Sequence, residues 1–320
     1  MTQPRHFLEI DDLSRDELFA VLDRAEEYKH AQENGEDHED LDGQTLGMIF
    51  QKPSTRTRVS FETGMTQLGG HAVFLGEDDI QLGHGEPLKD TSRTLSRYVD
   101  AVMARVFKHH NIEVLAEYAS VPVVNGLTDD AHPCQTLADL LTIREHAGGF
   151  GDVSGSESTG GASNDTFDGV SVAWVGDGNN VAQSFAIGAA LAGIDLTVAT
   201  PPGYEIDDDV RERARELGGE PETTTDPVEA IEDADVIYTD VWISMGQEDE
   251  RDVRMDDFEG FQVNEELLSY APDASVMHCL PAHRGEEITD AVVESDRSIV
   301  FDQAENRLHA QKALLSWLLD

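Results

Sequence analysis

The first periodic segment of the chain predicts an amphipathic helix near the amino terminus. Ser14 and Glu17 stand three residues apart, the spacing of a capping box, in which each side chain hydrogen-bonds the backbone N–H of the other residue. The apolar positions that follow recur on one helix face, and they are Leu18, Val21, Leu22 and Ala25. We interpret this helix as part of the scaffold.

Short apolar runs then alternate with helical stretches, a pattern typical of a parallel sheet covered by helices. The runs in the first half of the chain are Leu46 to Phe50, Ala72 to Leu75, Ala101 to Phe107 and Val121 to Leu127. A second series follows at Ser171 to Val175, Asp195 to Ala199, Val236 to Thr239, Ser275 to Met277 and Ser298 to Phe301. The chain closes with a predicted helix from about Ala304 to Leu319.

A glycine- and serine-rich segment, residues 147–169, separates the two series. It has almost no large apolar side chains, a composition typical of flexible linkers. We therefore expect an α/β protein with two tandem doubly wound parallel-sheet domains, 1–146 and 147–303, and the active site in the cleft between them. A length of 320 residues suits two domains of about 150 residues each.

Charge is the unusual feature of the composition. The chain has 65 acidic and 22 basic residues, a formal net charge of -43. Such a surface excludes nucleic acid and anionic membranes as general partners, and it resembles the surfaces of proteins from strongly saline cytoplasm. No window reaches the roughly 18 to 20 consecutive apolar residues of a membrane span, and the amino terminus lacks a signal-peptide pattern, so we expect a cytoplasmic protein.

An anion site is predicted at the carboxyl ends of the first-domain strands. Ser54-Thr55-Arg56-Thr57-Arg58 follows a strand and opens a helix, which brings hydroxyl, backbone N–H and guanidinium groups to a helix N-terminus. Arg105 ends another strand, and His132 and Gln135 follow a further one. Parallel strands end on one side of a sheet, so these side chains can reach a common anion. Each signal also has a structural reading, since serine and threonine cap helices and a lone histidine is often structural.

Candidate residues of the second domain also follow strands. Gly176-Asp177-Gly178-Asn179-Asn180 resembles a dinucleotide-binding turn, but Val181 replaces the third glycine, so a nicotinamide dehydrogenase stays a rival reading. The amides of Asn179 and Asn180 suit a polar zwitterionic ligand instead. Asp240 and Cys279 follow two other strands, where a carboxylate can pair with a substrate ammonium.

Neither a metal site nor a cofactor is expected. Cys134 and Cys279 are the only cysteines, too few for a disulfide framework or a four-ligand thiolate site. His278 and His283 are the nearest approach to a metal pair, and no third ligand is obvious beside them.

Taken in order, these motifs resemble those of the ornithine carbamoyltransferases, in the aspartate/ornithine carbamoyltransferase family. The resemblance covers almost the whole chain and rests on the ordered set Ser54 to Arg58, Arg105, His132 to Gln135, Gly176 to Asn180, Asp240 to Gly246, His278 to Pro281 and Ala304 to Arg307. The linker around Gly151 to Phe167 is longer than the family leads us to expect. By the resemblance, the chain would move the carbamoyl group of carbamoyl phosphate to the side-chain amine of L-ornithine in arginine metabolism, giving L-citrulline and phosphate.

The resemblance also implies residue roles and an assembly. Carbamoyl phosphate would be bound by Ser54, Thr55, Arg56, Thr57, Arg105, His132, Gln135 and Arg307, and by Gln81 from a neighbouring subunit. Ornithine would be bound by Asn180, Asp240, Ser244 and Met245, while Cys279 and Leu280 are assigned to both substrates. Arg56, Arg105, His132, Asp240 and Cys279 would carry the catalysis. The family implies a homotrimer or an assembly of trimers, with the last helix packed on the first domain.

Other acceptors and another class of protein stay open at this point. Aspartate as acceptor would require cationic groups in the second domain for two carboxylates, where the sequence offers Asp240, Ser244 and Cys279. Acetylated ornithine or putrescine is harder to exclude, because small changes around Ser244 and Cys279 alter how the α-carbon end is read. A non-catalytic binding protein is the alternative outside the enzymes.

Overall fold

The computed structural model describes residues 4–77, 85–146, 167, 169–244 and 246–320. The chain divides into two compact units, the first made of Met1–Ala138 with Glu305–Asp320 and the second of Asp139–Ala304. Each unit has its own all-parallel sheet with helices around it. The predicted class, a two-domain α/β protein built on parallel sheets, is confirmed.

The first unit has a four-stranded sheet in the order β2-β1-β3-β4. Its strands are β1 (Thr45–Phe50), β2 (His71–Gly76), β3 (Ala101–Arg105) and β4 (Val123–Leu127). Its helices are α1 (Arg15–Asn34), α2 (Thr55–Gln67), α3 (Leu88–Leu95), α4 (His109–Tyr118), the start of α5 (Pro133–His146) and most of the last helix, α12 (Val300–Leu319). The chain leaves β1 toward β2 on one side and returns to β3 on the other, so β1 and β3 flank the switch point where ligands bind in such sheets.

The predicted capping box is confirmed at the start of α1. The Ser14 hydroxyl accepts from the Glu17 N–H, and a Glu17 carboxylate oxygen accepts from the Ser14 N–H at 2.9 Å. The buried face of α1 comprises Leu18, Phe19, Val21, Leu22, Ala25 and Tyr28. The four residues predicted from the periodicity are all among them, because the spacing that defines one helix face also defines what it buries.

The second unit has a five-stranded sheet in the order β7-β6-β5-β8-β9. Its strands are β5 (Ser171–Val175), β6 (Asp195–Ala199), β7 (Glu222–Thr224), β8 (Val236–Thr239) and β9 (Ser275–His278). Its helices are α6 (Asn180–Ala192), α7 (Asp208–Leu217), α8 (Pro227–Ile231), α9 (Arg251–Asp257), α10 (Glu265–Leu268), α11 (Asp290–Val293) and the start of α12 (Val300–Leu319). Here β5 and β8 flank the switch point, so the segments after them are the natural ligand-binding positions.

The predicted strand Ser298 to Phe301 and the predicted start of the last helix are both wrong. The expected strand Ser298 to Phe301 is a single bridge from Ser298 to Val276, because α12 already begins at Val300, four residues before the predicted start. The short strand β7 was not predicted. The glycine- and serine-rich segment lies outside the described residues except for Phe167 and Gly169. Among the described residues, no helix is long and apolar enough to cross a membrane.

Candidate active site

The first half-site is built on the start of α2. Ser54 is the N-cap residue, and its hydroxyl accepts from the Thr57 N–H at 3.3 Å and donates to the Thr57 hydroxyl oxygen at 3.0 Å. Thr55 is exposed, whereas Arg56 is half-buried and Thr57 is buried. The first N–H groups of a helix have no partner within the helix, so this turn presents donors and a positive dipole end to an anion.

Two buried guanidinium groups converge on the same threonine. Arg105 Nη1 and Arg307 Nη2 each lie 3.4 Å from the Thr57 hydroxyl oxygen, at the long end of hydrogen-bond distance. A second nitrogen of Arg307 donates to the Gln135 side-chain oxygen at 2.6 Å. Arg105 is 7% exposed and Arg307 2% exposed. In a chain with a net charge of -43, this concentration of buried positive charge suits a ligand such as a phosphate.

His132 lies among these cations as a neutral imidazole. Burial lowers its pKa well below the usual value, and the charges of Arg307, Arg105 and Arg56 lower it further. A neutral imidazole offers one N–H donor, which can polarise a carbonyl oxygen without becoming a cation. Cys134, two residues on, is a buried thiol. Burial raises the pKa of its thiol to about 12, and its sulfur donates to the Asn125 carbonyl at 3.2 Å.

The second half-site centres on Asp240, which follows β8 directly. One carboxylate oxygen accepts from the Asn179 amide at 2.8 Å, and the other accepts from the Cys279 thiol at 2.9 Å. Asn179 also caps α6, accepting from the N–H groups of Val181 and Ala182. The Asn179 amide, which we predicted to face a ligand, therefore holds Asp240 and caps the start of α6. Asn180, the first residue of α6, is half-buried.

A buried histidine and glutamate hold the segment after β9. His278 Nδ1 accepts from the Leu280 N–H at 2.9 Å, so the ring proton lies on Nε2, which faces Glu287 Oε1 at 3.1 Å. Leu280 has a φ of 57° and precedes a cis peptide bond to Pro281. The sequence did not single out Glu287, which lies nine residues from its partner. It could be found only by knowing how the chain turns back after Pro281.

A buried ion pair joins the segments after β5 and β8. Arg254 Nη1 donates to the Asp177 carboxylate at 2.8 Å and to the Trp242 carbonyl at 2.9 Å. Burial raises the pKa of Asp177 to about 6, although Arg254 pulls it down. The sequence did not predict this pair, because its members stand 77 residues apart. Ser244, on the segment that Arg254 anchors, is half-buried, and its N–H donates to the Gln247 side chain at 3.0 Å.

Two family models match the chain over most of its length. One is described as the carbamoyl-P binding domain of aspartate/ornithine carbamoyltransferase and matches residues 5–145. The other is described as the Asp/Orn binding domain and matches residues 168–318. The chain belongs to the aspartate/ornithine carbamoyltransferase family. Members of this family are transferases. The first half-site lies within the first matched domain except for Arg307, and the second half-site lies within the second.

Relatives within the family are similar over their full length. An ornithine carbamoyltransferase of Haloquadratum walsbyi is 61% identical over 319 residues, covering 100% of this chain and 99% of the relative. An anabolic ornithine carbamoyltransferase of Pyrococcus furiosus is 53% identical, covering 98% and 96%. The solved structure of the ornithine carbamoyltransferase from Pyrococcus furiosus superposes with a TM-score of 0.89 over 98% of this chain and 96% of that one. The enzyme from Thermus thermophilus gives a TM-score of 0.85 at 45% identity, covering 100% of both chains.

The predicted site residues thus form two groups, one in each unit. In the first unit, hydrogen bonds and charges bring together Ser54, Thr57, Arg105, Gln135 and Arg307, with Arg56 near His132. In the second unit, Asp240 contacts Cys279, and Leu280 follows directly in the chain. Thr55 and Ser244 make no contact with the predicted ligand-binding side chains in the described hydrogen bonds. Gln81 and Met245 lie outside the described residues.

Proposed function

We propose that this chain transfers the carbamoyl group of carbamoyl phosphate to the side-chain amine of L-ornithine, giving L-citrulline and phosphate. The observation that carries the proposal is that the two half-sites have the charges that the two substrates require. One unit holds a buried cationic cluster suited to a phosphate, and the other presents a carboxylate suited to an ammonium group. The names of the full-length relatives support the same reaction.

Carbamoyl phosphate is assigned to the first unit. Its phosphate would be bound by the N-terminus of α2, with Ser54, Thr55 and Thr57, and by three guanidinium groups, those of Arg56, Arg105 and Arg307. Gln135 holds Arg307 in place at 2.6 Å. We also assign Cys279, Leu280 and, from a neighbouring subunit, Gln81 to the binding of carbamoyl phosphate.

Catalysis would consist of placing donors around the carbonyl oxygen. The amine attacks the carbonyl carbon and phosphate leaves, so negative charge develops on that oxygen and on the leaving group. Arg56, Thr57 and neutral His132 are the proposed donors to the carbonyl oxygen, and Arg105 would stabilise the leaving phosphate. Donors fixed before the reaction are usually the largest catalytic contribution. No covalent intermediate with Cys279 or any other residue is required.

Ornithine is assigned to the second unit. Asp240 would pair with its α-ammonium group, and Asn180, Ser244 and Met245 would contact the rest of the α-carbon end. The side-chain amine titrates like lysine, near pKa 10.4, so about one molecule in a thousand carries a neutral nucleophile at pH 7.4. Cys279 and Asp240 are therefore proposed to orient ornithine, so that its scarce neutral form reacts efficiently.

The second unit favours ornithine over aspartate as the acceptor. An aspartate acceptor brings two carboxylates, which Asp240 would repel at close range. Acetylated ornithine lacks the α-ammonium charge that Asp240 would bind. Putrescine keeps an ammonium group for Asp240 and differs from ornithine only by the missing α-carboxylate, so the acceptor panel is needed to separate the two. We further propose a cytoplasmic homotrimer or assembly of trimers, working in arginine biosynthesis, as the anabolic relative supports.

An acceptor panel tests the substrate assignment. Product formation should be measured with carbamoyl phosphate and each of L-ornithine, N-acetyl-L-ornithine, putrescine and L-aspartate at equal concentration. We expect ornithine to give the highest kcat/KM by at least about tenfold. A preference for any other acceptor would contradict the assignment. Binding of a nicotinamide cofactor, followed by its fluorescence, would instead support a dehydrogenase.

A further inference from the structure

A compact turn after Pro281 brings three potential metal ligands together. The turn is closed by hydrogen bonds from the Gly285 N–H to the Ile288 carbonyl at 2.8 Å and from the Glu286 N–H to the His283 carbonyl at 2.9 Å. Gly285 has a φ of 97°, a conformation that favours glycine. One ligand atom from each of His283, Glu286 and Glu287 lies within 4.8 Å of the other two. From the sequence, His283 is considered with His278 and no third ligand is apparent. The turn instead places two carboxylates beside His283.

Both carboxylates have one committed oxygen and one buried oxygen without a donor. Glu287 is fully buried, and its Oε1 accepts from His278 Nε2 at 3.1 Å and from the His283 N–H at 2.5 Å. Glu286 Oε1 accepts from Arg251 at 2.5 Å. The Oε2 atom of each is shielded from solvent and has no hydrogen-bond partner among the described residues. Buried carboxylate oxygens normally have such a partner.

The composition of the cluster identifies the kind of ligand that fits it. His283 Nδ1 lies 3.8 Å from Glu286 Oε2, and the side chain is 42% exposed, so an ion could reach the cluster from solvent. One imidazole nitrogen with two carboxylate oxygens is a ligand set for divalent first-row transition metals, whereas Mg²⁺ and Ca²⁺ prefer oxygen alone. The negative field of a chain with a net charge of -43 also attracts cations.

We propose that His283, Glu286 and Glu287 bind one divalent transition-metal ion of the Mn²⁺ or Zn²⁺ class. The proposal does not depend on the reaction proposed above. The occupied site would tie Glu287, and through it His278, to the turn that follows the Leu280 segment. The competing occupant is a buried water that donates to both free oxygens.

Mn²⁺ is the best probe for this site. It prefers nitrogen and oxygen ligands over thiolate, which separates this cluster from Asp240, His278 and Cys279, whose ligand atoms also lie within 4.8 Å of one another. Untagged protein, stripped with a chelator, should be titrated with Mn²⁺ in 1 M KCl while the electron paramagnetic resonance signal of the free ion is followed. We expect one ion per chain at saturation.

Variants locate the bound ion. His283→Ala and Glu286→Gln, which change a partly exposed side chain and a peripheral carboxylate, should each weaken Mn²⁺ binding by at least about tenfold. His110→Ala is the matched control, because His110 and Glu113 form an equally spaced pair on α4 at 3.2 Å with high exposure. Neither His110→Ala nor Cys279→Ser should change the affinity.

Three results would overturn the proposal. The first is no stoichiometric Mn²⁺ binding by the wild-type protein, which would leave water as the occupant. The second is binding that survives both His283→Ala and Glu286→Gln with its affinity unchanged. The third is binding lost in Cys279→Ser, which would put the ion at Asp240 and His278. Circular dichroism of each variant verifies that its fold is intact.

Discussion

At the scale of single residues, Thr57 is contacted by side chains from three separate segments of the first half-site. Its hydroxyl oxygen faces donors from Ser54, Arg105 and Arg307 at 3.0 to 3.4 Å. These contacts hold the two arginines beside the start of α2, where their guanidinium groups would face the same ligand as the Thr57 hydroxyl.

Arg56→Ala should lower kcat by at least about a hundredfold and weaken carbamoyl phosphate binding, because one fixed donor to the developing charge is removed. Steady-state kinetics and carbamoyl phosphate titration measure both effects. Arg58→Ala is the matched control, since Arg58 is exposed, pairs with Glu62 at 3.0 Å and lies over the Phe74 ring. Equal, near-normal kinetics in the two variants would remove Arg56 from the site.

Asp240→Asn should raise the ornithine KM steeply while leaving carbamoyl phosphate binding nearly unchanged. The substitution keeps the shape that Asn179 and Cys279 contact but removes the charge proposed to bind the α-ammonium group. Calorimetry with each ligand separately tests the assignment. A carbamoyl phosphate affinity that falls as far as the ornithine affinity would contradict the division between the two units.

At the scale of elements, strands made of apolar runs could be predicted from the sequence. A polar edge strand and an apolar run that begins a helix could not. The bounds of β5, β6 and β8 match the predicted ones residue for residue. β5 and β8 are almost entirely buried and largely apolar, and β6 still carries buried Leu196, Val198 and Ala199. The edge strand β7 is Glu-Thr-Thr, which pairs through its backbone and leaves no apolar signal. The run at Ile299 and Val300 is equally apolar, but it is buried as the beginning of a helix.

The same limit applies to the candidate site. Strand-end positions such as Arg105 and Asp240 could be predicted, because parallel strands carry their ligand-binding residues at their carboxyl ends. The ion pair between Arg254 and Asp177 could not, since its members stand 77 residues apart in the chain. Glu287 reaches His278 through a turn that no periodicity marks.

Helix α12 carries a buried cation whose ionisation should affect stability. Lys312 is fully buried, and its ammonium donates to a His38 ring nitrogen at 3.0 Å and to the Gln67 side-chain oxygen at 2.9 Å. Neither partner is a carboxylate, and burial lowers the pKa of Lys312 to about 8. The folded state therefore binds this proton less tightly than the unfolded chain does, so stability rises as pH climbs from about 8 toward 10.5.

Lys312→Met should raise the urea midpoint at pH 7.5, because it removes the cost of burying the charge. Its advantage over the wild type should shrink by pH 9.5, where the wild-type lysine is largely neutral when folded. Urea unfolding at both pH values, with the exposed Lys89→Met as the control, measures this. An advantage that is constant or grows with pH would show that Lys312 is not the group responsible.

At the scale of the whole molecule, we expect the net charge to set the salt concentration at which the fold is stable. Acidic residues outnumber basic ones 65 to 22, so the surface repels itself at low ionic strength, both within a subunit and across the contacts of the proposed trimer. Salt at about 1 M shortens the screening length to roughly 3 Å and weakens that repulsion.

Stability and assembly should therefore rise with salt. Thermal melts and sedimentation from about 0.1 M to 3 M KCl should show an increasing melting temperature and a trimer that forms or persists at high salt. A melting temperature and sedimentation coefficient that stay constant over this range would contradict the halophilic prediction without affecting the proposed reaction.

The central claim is the transfer of a carbamoyl group to ornithine, and its most direct measurement follows the transferred carbon itself. Carbamoyl phosphate labelled with ¹³C at the carbonyl should be mixed with L-ornithine and the protein in high salt, and the reaction followed by ¹³C and ³¹P nuclear magnetic resonance. We predict that the label enters the ureido carbon of citrulline while phosphate appears in equal amount, at a rate proportional to protein concentration. Label that appears only in breakdown products of carbamoyl phosphate, at the rate seen without protein, would contradict the account.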